Sequence, residues 1–230
     1  MSELYLVRHA QASFGAANYD QLSDLGHQQS RWLGEHLALR GIGFDKLVVG
    51  DMHRHHQTMD GICAGMGIDG SDRTVLPGLN EYNFTHMTDA YGKTHGDDPL
   101  YQTIADNPDN KNNYFRLLRR VLSAWTRDEI DDVPETWVAF KARVSDARQQ
   151  IQTMAEGGEI VLAIGSGGSI STFVGGVLSI PDETIFDLNL QYKNTAISHF
   201  FFNTRKMNLT GFNSIPHLDT NEMQGYITYG

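Results

Sequence analysis

Three short apolar runs set the frame for this chain: ELYLVR (3–8), DKLVVG (45–50) and EIVLAI (159–164). Each has the length of a strand. The first is apolar on both sides, as expected of a central strand covered on both faces. Between the first two lies LSDLGHQQSRWLGEHLALRG, where Ser23 can cap a helix, Trp32, Leu33, His36 and Leu37 share one face, and Gly41 ends it. After the second, MHRHHQTMDGICAGMG reads as a helix closed by glycines. Strand, helix, strand, helix is the rhythm of an α/β fold, a three-layer α/β/α sandwich with a mostly parallel sheet.

The segment from about 85 to 156 breaks this rhythm. It starts polar and loop-like, with GKTHGDDP and DNPDNKNN as breakers. Phe115, Leu118, Leu122 and Trp125 then recur at helical spacing, and Trp137, Phe140, Val144, Ala147, Ile151 and Met154 mark a long amphipathic helix. The expectation is one domain over residues 1–230 with a largely helical insertion at about 85–156. NTAISHFFFN and KMNLTGFN read as two closing strands joined by a turn around Arg205, and the tail shows no periodicity.

The chain has 230 residues and a net charge of −10, which argues against nucleic-acid and anionic-membrane partners. An anionic substrate would need a local positive site. The single cysteine, Cys63, cannot form an internal disulfide. The opening MSELYLVRHA lacks the pattern of a secretion signal, and no apolar run approaches the ~20 residues of a membrane span. A soluble, cytoplasmic protein is expected. Its oligomeric state is not readable.

In open α/β sheets, ligands bind at the carboxyl ends of the strands. The first strand ends on Arg8 and His9. The second ends just before GDMHRHHQT, which carries Arg54, and LNEYNF brings the acid Glu81 after a Pro-Gly turn. Arginine offers a planar fork to phosphate oxygens, a neutral imidazole nitrogen can attack phosphorus, and a carboxyl group can protonate a leaving oxygen. Singly, each residue reads as well as a surface charge or a helix-end contact. Together they make a usable phosphoryl-transfer set. The turn IVLAIGSGGSIS (160–171) is a strand end opened by glycines. It fits none of three known motifs: Ile170 stands where a dinucleotide fingerprint needs its third glycine, a P-loop lysine is missing, and Ile164 breaks a nucleophile elbow around Ser166.

These segments, taken in order, resemble the histidine phosphatase superfamily, also called phosphoglycerate-mutase-like. LYLVRHAQAS is similar to its opening strand and Arg-His-Gly motif, with Ala10 in place of glycine. LSDLGHQQS resembles its Leu-Thr-x-x-Gly-x-x-Gln-Ala helix start, with Gln29 in register. GDMHRHHQTM resembles its Ser-x-x-x-Arg-x-x-Gln-Thr-Ala segment, keeping Arg54, Gln57 and Thr58 but not the leading serine. LNEYNF and NTAISHF match its Leu-x-Glu and Asn-Thr/Ser-x-Ile/Val segments. The resemblance implies that His9 is the phosphohistidine nucleophile, that Arg8 and Arg54 bind the phosphoryl group, and that Glu81 is the acid/base.

At the glycine turn the superfamily usually reads Val-x-x-His-Gly-Gly. Aligned on Gly167 and Gly168, this chain has Ser166 where that second clamp histidine belongs. The resemblance then makes the turn a wall of the phosphate pocket, with Ser166 and the Gly167 backbone as donors at a helix N-terminus. A serine cannot supply a cationic donor, so restoring histidine there would be expected to raise activity, unless the pocket has been rebuilt around serine. Ser166 itself is not read as a nucleophile, because no base partner is identifiable. His55, His56, His86 and His217 read as surface or supporting groups, with at most one of His55 and His56 leaning inward. HRHH lacks the carboxylate or cysteine spacing of a metal site, and no cofactor is expected. The leading reading is a hydrolase of small phosphomonoesters. The alternatives are a weak or inactive member that binds a phosphorylated ligand, and a phosphoglycerate mutase.

Overall fold

A computed structural model describes residues 1–13, 20–106, 111–155 and 157–229. Strand β1 (Ser2–Arg8) lies inside a six-stranded sheet with β2 (Lys46–Val49), β3 (Thr74–Val75), β4 (Ile160–Gly165), β5 (Ile197–Phe202) and β6 (Met207–Ser214), in the order β3-β2-β4-β1-β5-β6. The first four in that order run parallel, and β5 and β6 add an antiparallel edge. The register pairs Arg8 with Gly165 and Val49 with Ile164, so three parallel strands end side by side. β5 and β6 form the expected pair around Arg205, where Asn203 N–H bonds the Lys206 carbonyl.

The strands are apolar on both faces because both are covered. Val7, Leu47, Val49, Leu162 and Ile164 pack under helices α1 (Asp24–Leu39) and α2 (His53–Met66), against Leu33, Leu37, Met59 and Ile62. Leu4, Leu6, Val48, Val161 and Ala163 face the other way, into the larger cluster holding Trp125, Phe140 and Phe173. Ser23 caps α1 through the Gly26 N–H, as its residue type requires. α2 closes on Gly67 in the left-handed conformation.

Among the described residues, four α-helices lie between β3 and β4: α3 (Phe84–Thr94), α4 (Pro99–Asp106), α5 (Lys111–Thr126) and α6 (Trp137–Met154). The loop-like start expected near residue 85 is instead helical. Asn83 caps α3 through the His86 N–H, and GKTHGDDP marks only the break between α3 and α4. Asp98 orders that break by accepting hydrogen bonds from Leu100 N–H, the Tyr91 hydroxyl and Arg120. Part of the second breaker, 107–110, lies outside the described residues. On α5 the buried stripe is Leu117, Val121, Leu122 and Trp125, and Phe115 is exposed, so the stripe is rotated from the one expected. On α6 the expected residues are buried except Met154, which is half-buried.

Among the described residues two further α-helices follow: α7 (Gly167–Leu178), directly after β4, and α8 (Asp182–Leu190). The tail ends in a 3-10 turn, Asn221–Tyr226. Among the described residues no helix is long and apolar enough to cross a membrane.

Candidate active site

The candidate site forms where β1, β2 and β4 end and α2 and α7 begin. His9 follows the last residue of β1. Its N–H bonds the Gly165 carbonyl at 2.9 Å, and its carbonyl accepts from Asn194 Nδ2 at 3.0 Å. The backbone is thus pinned on both sides. The ring is buried, with Nδ1 2.8 Å from the Ala10 carbonyl and Nε2 3.1 Å from Arg54 Nε. A carbonyl only accepts and a guanidinium only donates, so Nδ1 carries the hydrogen and Nε2 holds the lone pair. Burial, then Arg54, Arg8 and His55, push its pKa well below the ordinary histidine value.

Arg54 enters from the first turn of α2, held by Asp20, whose Oδ1 lies 2.9 Å from Nη1. Asp20 also accepts from the His53 N–H at 2.9 Å, at the positive end of the helix. Arg8 lies beside the α7 N-terminus, and its Nη1 donates to the carbonyls of Tyr192 and Tyr229. A Cβ added at Gly167 would come within 2.6 Å of Asn189 Oδ1 and 3.4 Å of Arg8 Nε, so glycine lets the turn lie against both.

Glu81 sits beyond a 3-10 turn (Pro77–Leu79) that follows β3. Its Oε2 accepts from Gly168 N–H at 3.1 Å. A Cβ at Gly168 would meet Glu81 Oε1 at 2.2 Å and the Tyr82 ring at 2.4 Å. The loop that carries Glu81 is anchored from α6. Arg143 donates to the carbonyls of Gly78 and Asn80 at 3.1 and 3.0 Å and pairs with Glu135 at 2.7 Å. The Tyr82 ring packs on Trp125 and Phe140 at 5.3 and 5.6 Å.

The glycine turn joins these pieces. Gly165 pairs with His9, Gly168 holds Glu81, and between them buried Ser166 places Oγ 2.8 Å from His55 Nε2. His55 is fully buried, and its ring centroid is 5.7 Å from that of His9. Burial first, then Arg54 and His56, push its pKa well below the ordinary value. Ser166 therefore has the imidazole partner that could not be identified from sequence. His56 is half-buried, His86 is exposed, and His217 is buried against Thr195, Nε2 to Oγ1 2.8 Å.

Other motif residues build the frame rather than the pocket. Thr58 Oγ1 accepts from Ala10 N–H at 3.1 Å, Gln29 from Gln11 N–H at 3.0 Å, and Gln57 from Leu22 N–H at 2.8 Å. All three fasten the chain that follows β1. Sequence reasoning missed Asp20 and Arg143, which carry no motif. Asp20 lies 34 residues before Arg54, so no local signal in the sequence ties the two together.

The model of the histidine phosphatase superfamily, branch 1, matches residues 4–215. Among solved structures, the chain is similar to a phosphoglycerate mutase from Bacillus anthracis, at 19% identity and TM-score 0.66, covering 94% of each chain. It is similar to a phosphoserine phosphatase mutant from Entamoeba histolytica in complex with phosphoserine, at 18% identity and TM-score 0.63, covering 95% of this chain and 100% of that one. A mycobacterial glucosyl-3-phosphoglycerate phosphatase shares 22% identity at TM-score 0.61, over 93% of this chain and 99% of that one. The comparison with curated proteins found no match. At these identities the solved structures establish the shared fold, and the family match over nearly the whole chain establishes membership: the chain belongs to the histidine phosphatase superfamily, branch 1.

Proposed function

We propose that the protein hydrolyses a small phosphomonoester through a phosphohistidine on His9. The observation that carries this is the state of His9: a buried neutral imidazole, its lone pair on Nε2 facing Arg54. Nε2 attacks phosphorus and the bond to the leaving oxygen breaks, with Glu81 giving that oxygen its proton. Glu81 then takes a proton from water, whose oxygen attacks the phosphoryl group and returns His9 and free phosphate. Arg8, Arg54, Ser166 and the Gly167 N–H are the groups proposed to hold the phosphoryl oxygens.

The test is hydrolysis of p-nitrophenyl phosphate and an alkyl phosphate by the wild type and by His9→Ala. Free phosphate equal to the alcohol released, lost in His9→Ala, is the expected result. Activity unchanged in His9→Ala would overturn it. Transfer of the phosphoryl group to an added glycerate, without free phosphate, would make the protein a mutase instead.

A further inference from the structure

We infer that His55 supplies the second imidazole of the phosphoryl pocket, acting on the substrate through the hydroxyl of Ser166. This rests on the phosphatase reading of the site. Three positions carry it. Ser166 stands where the family pattern has a clamp histidine, and Gly50 stands where it has the leading serine of the Arg54 segment. His55 joins the two in space. Its Nε2 is 2.8 Å from Ser166 Oγ, and a Cβ at Gly50 would lie 2.2 Å from its Nδ1.

These departures are one contact. A bare loss of histidine at 166 would leave room for a ring. Here Ser166 and His55 are both fully buried, and the space is filled by an imidazole that comes from α2 instead of α7. The glycine at 50 clears the path for that ring. A polar pair is costly to bury unless it bonds, and this one sits beside His9, at a ring distance of 5.7 Å, at the N-terminus of α7. His55 holds the Ser166 hydroxyl at the pocket wall by donating its Nε2–H to Oγ, which leaves the serine hydrogen for a phosphoryl oxygen. It is a positioning residue, and Ser166 is the group that touches the phosphoryl oxygens. Ser166→His alone therefore forces two rings into one space, and the gain expected from sequence turns into a loss.

The experiment measures kcat and KM for p-nitrophenyl phosphate and the Kd of orthovanadate. The proteins are wild type, His55→Ala, His55→Phe, Ser166→His and the double variant His55→Ala/Ser166→His, with folding followed by circular dichroism. Each single variant is expected to lose about 10²-fold in kcat, with KM little changed, the mark of a donor acting in the transition state. The double variant is expected to recover at least tenfold over either single. His55→Phe keeps the volume without the nitrogens, so a purely packing role predicts near-normal kcat there, and that result would overturn the inference. So would a double variant as poor as the product of the singles. Vanadate binding needs no turnover. If the wild type binds vanadate but hydrolyses nothing, the phosphatase reading fails alone, and a weakened vanadate Kd in His55→Phe still supports the His55 role. An unchanged Kd overturns that role, and no vanadate binding by the wild type overturns both.

Discussion

Arg54 Nε lies 3.1 Å from His9 Nε2, on the side of the ring opposite the Ala10 carbonyl. One contact settles where the lone pair is and the other settles where the hydrogen is. On the proposed reading, the guanidinium that disfavours a charged His9 is also the group that meets a phosphoryl oxygen, so ring and cation would be prepared together.

If Nε2 is the nucleophile, trapping with substrate yields an acid-labile, base-stable phosphoadduct on His9. Peptide mapping locates it. Because Ser166 has an imidazole partner at 2.8 Å, the mapping has a specific competitor. An acid-stable phosphoserine at 166 would replace the proposed mechanism.

His9 is expected to remain neutral well below pH 6.5. In histidine-labelled protein, its ring nitrogens should show no titration in the ordinary histidine range. Arg54→Gln removes the largest charge effect on the ring, so the midpoint moves upward. An ordinary titration of His9 in the wild type would mean that the ring is more hydrated than its burial implies.

Glu81 depends on Gly168 for its place. A general acid helps most when the departing oxygen is basic. Glu81→Gln should slow an alkyl phosphate by about 10²-fold or more and p-nitrophenyl phosphate far less. Gly168→Ala puts a methyl 2.2 Å from the carboxylate and should reproduce the same leaving-group selectivity. Equal losses on both substrates would assign Glu81 to structure alone.

Acid should destabilise the fold earlier than carboxylates explain. His9, His55 and His217 are all held neutral by burial, so unfolding takes up protons once the pH drops below about 6.5. Stability is full above that value and falls below it by about 1.4 kcal/mol per pH unit for each such group. His217, pushed down to about 3 by burial and then by His36, lies outside the candidate site. Urea unfolding of His217→Gln between pH 6.5 and 5 should show the fall flattened by about that amount per unit. An identical slope would remove His217 from this account.

The loop anchored by Arg143 offers a separate handle. Arg143→Met keeps an unbranched side chain but loses the guanidinium stacked over the Phe140 ring and its bonds to the Gly78 and Asn80 carbonyls. Stability should fall by about 1 kcal/mol, the cost of part-buried acceptors that lose their donors, and kcat should fall with it as Glu81 loses its support. A drop in stability with kcat intact would show that the loop holds Glu81 without α6.

The α/β rhythm and the motifs around Arg8, His9, Arg54 and Glu81 were legible in the sequence, because local period and residue type report on strands, caps and strand ends. The same locality explains the failures. Residues 84–106 contain the breaker GKTHGDDP, yet the Asn83 cap, the bonds to Asp98 and the burial of Met87, Ala90 and Tyr91 make them two helices. The α5 stripe is set by packing against α3, α4, α6 and α8, whose arrangement no local period reports. The neighbourhood of Ser166 was decided by tertiary structure alone. His55 is 111 residues away, and only the convergence of the α2 and α7 N-termini at adjacent strand ends brings its ring there. Sequence determined which chemical groups reach the end of the sheet. Packing decided which of them touch, since contacts between distant elements depend on burial and close fit, which no local pattern carries.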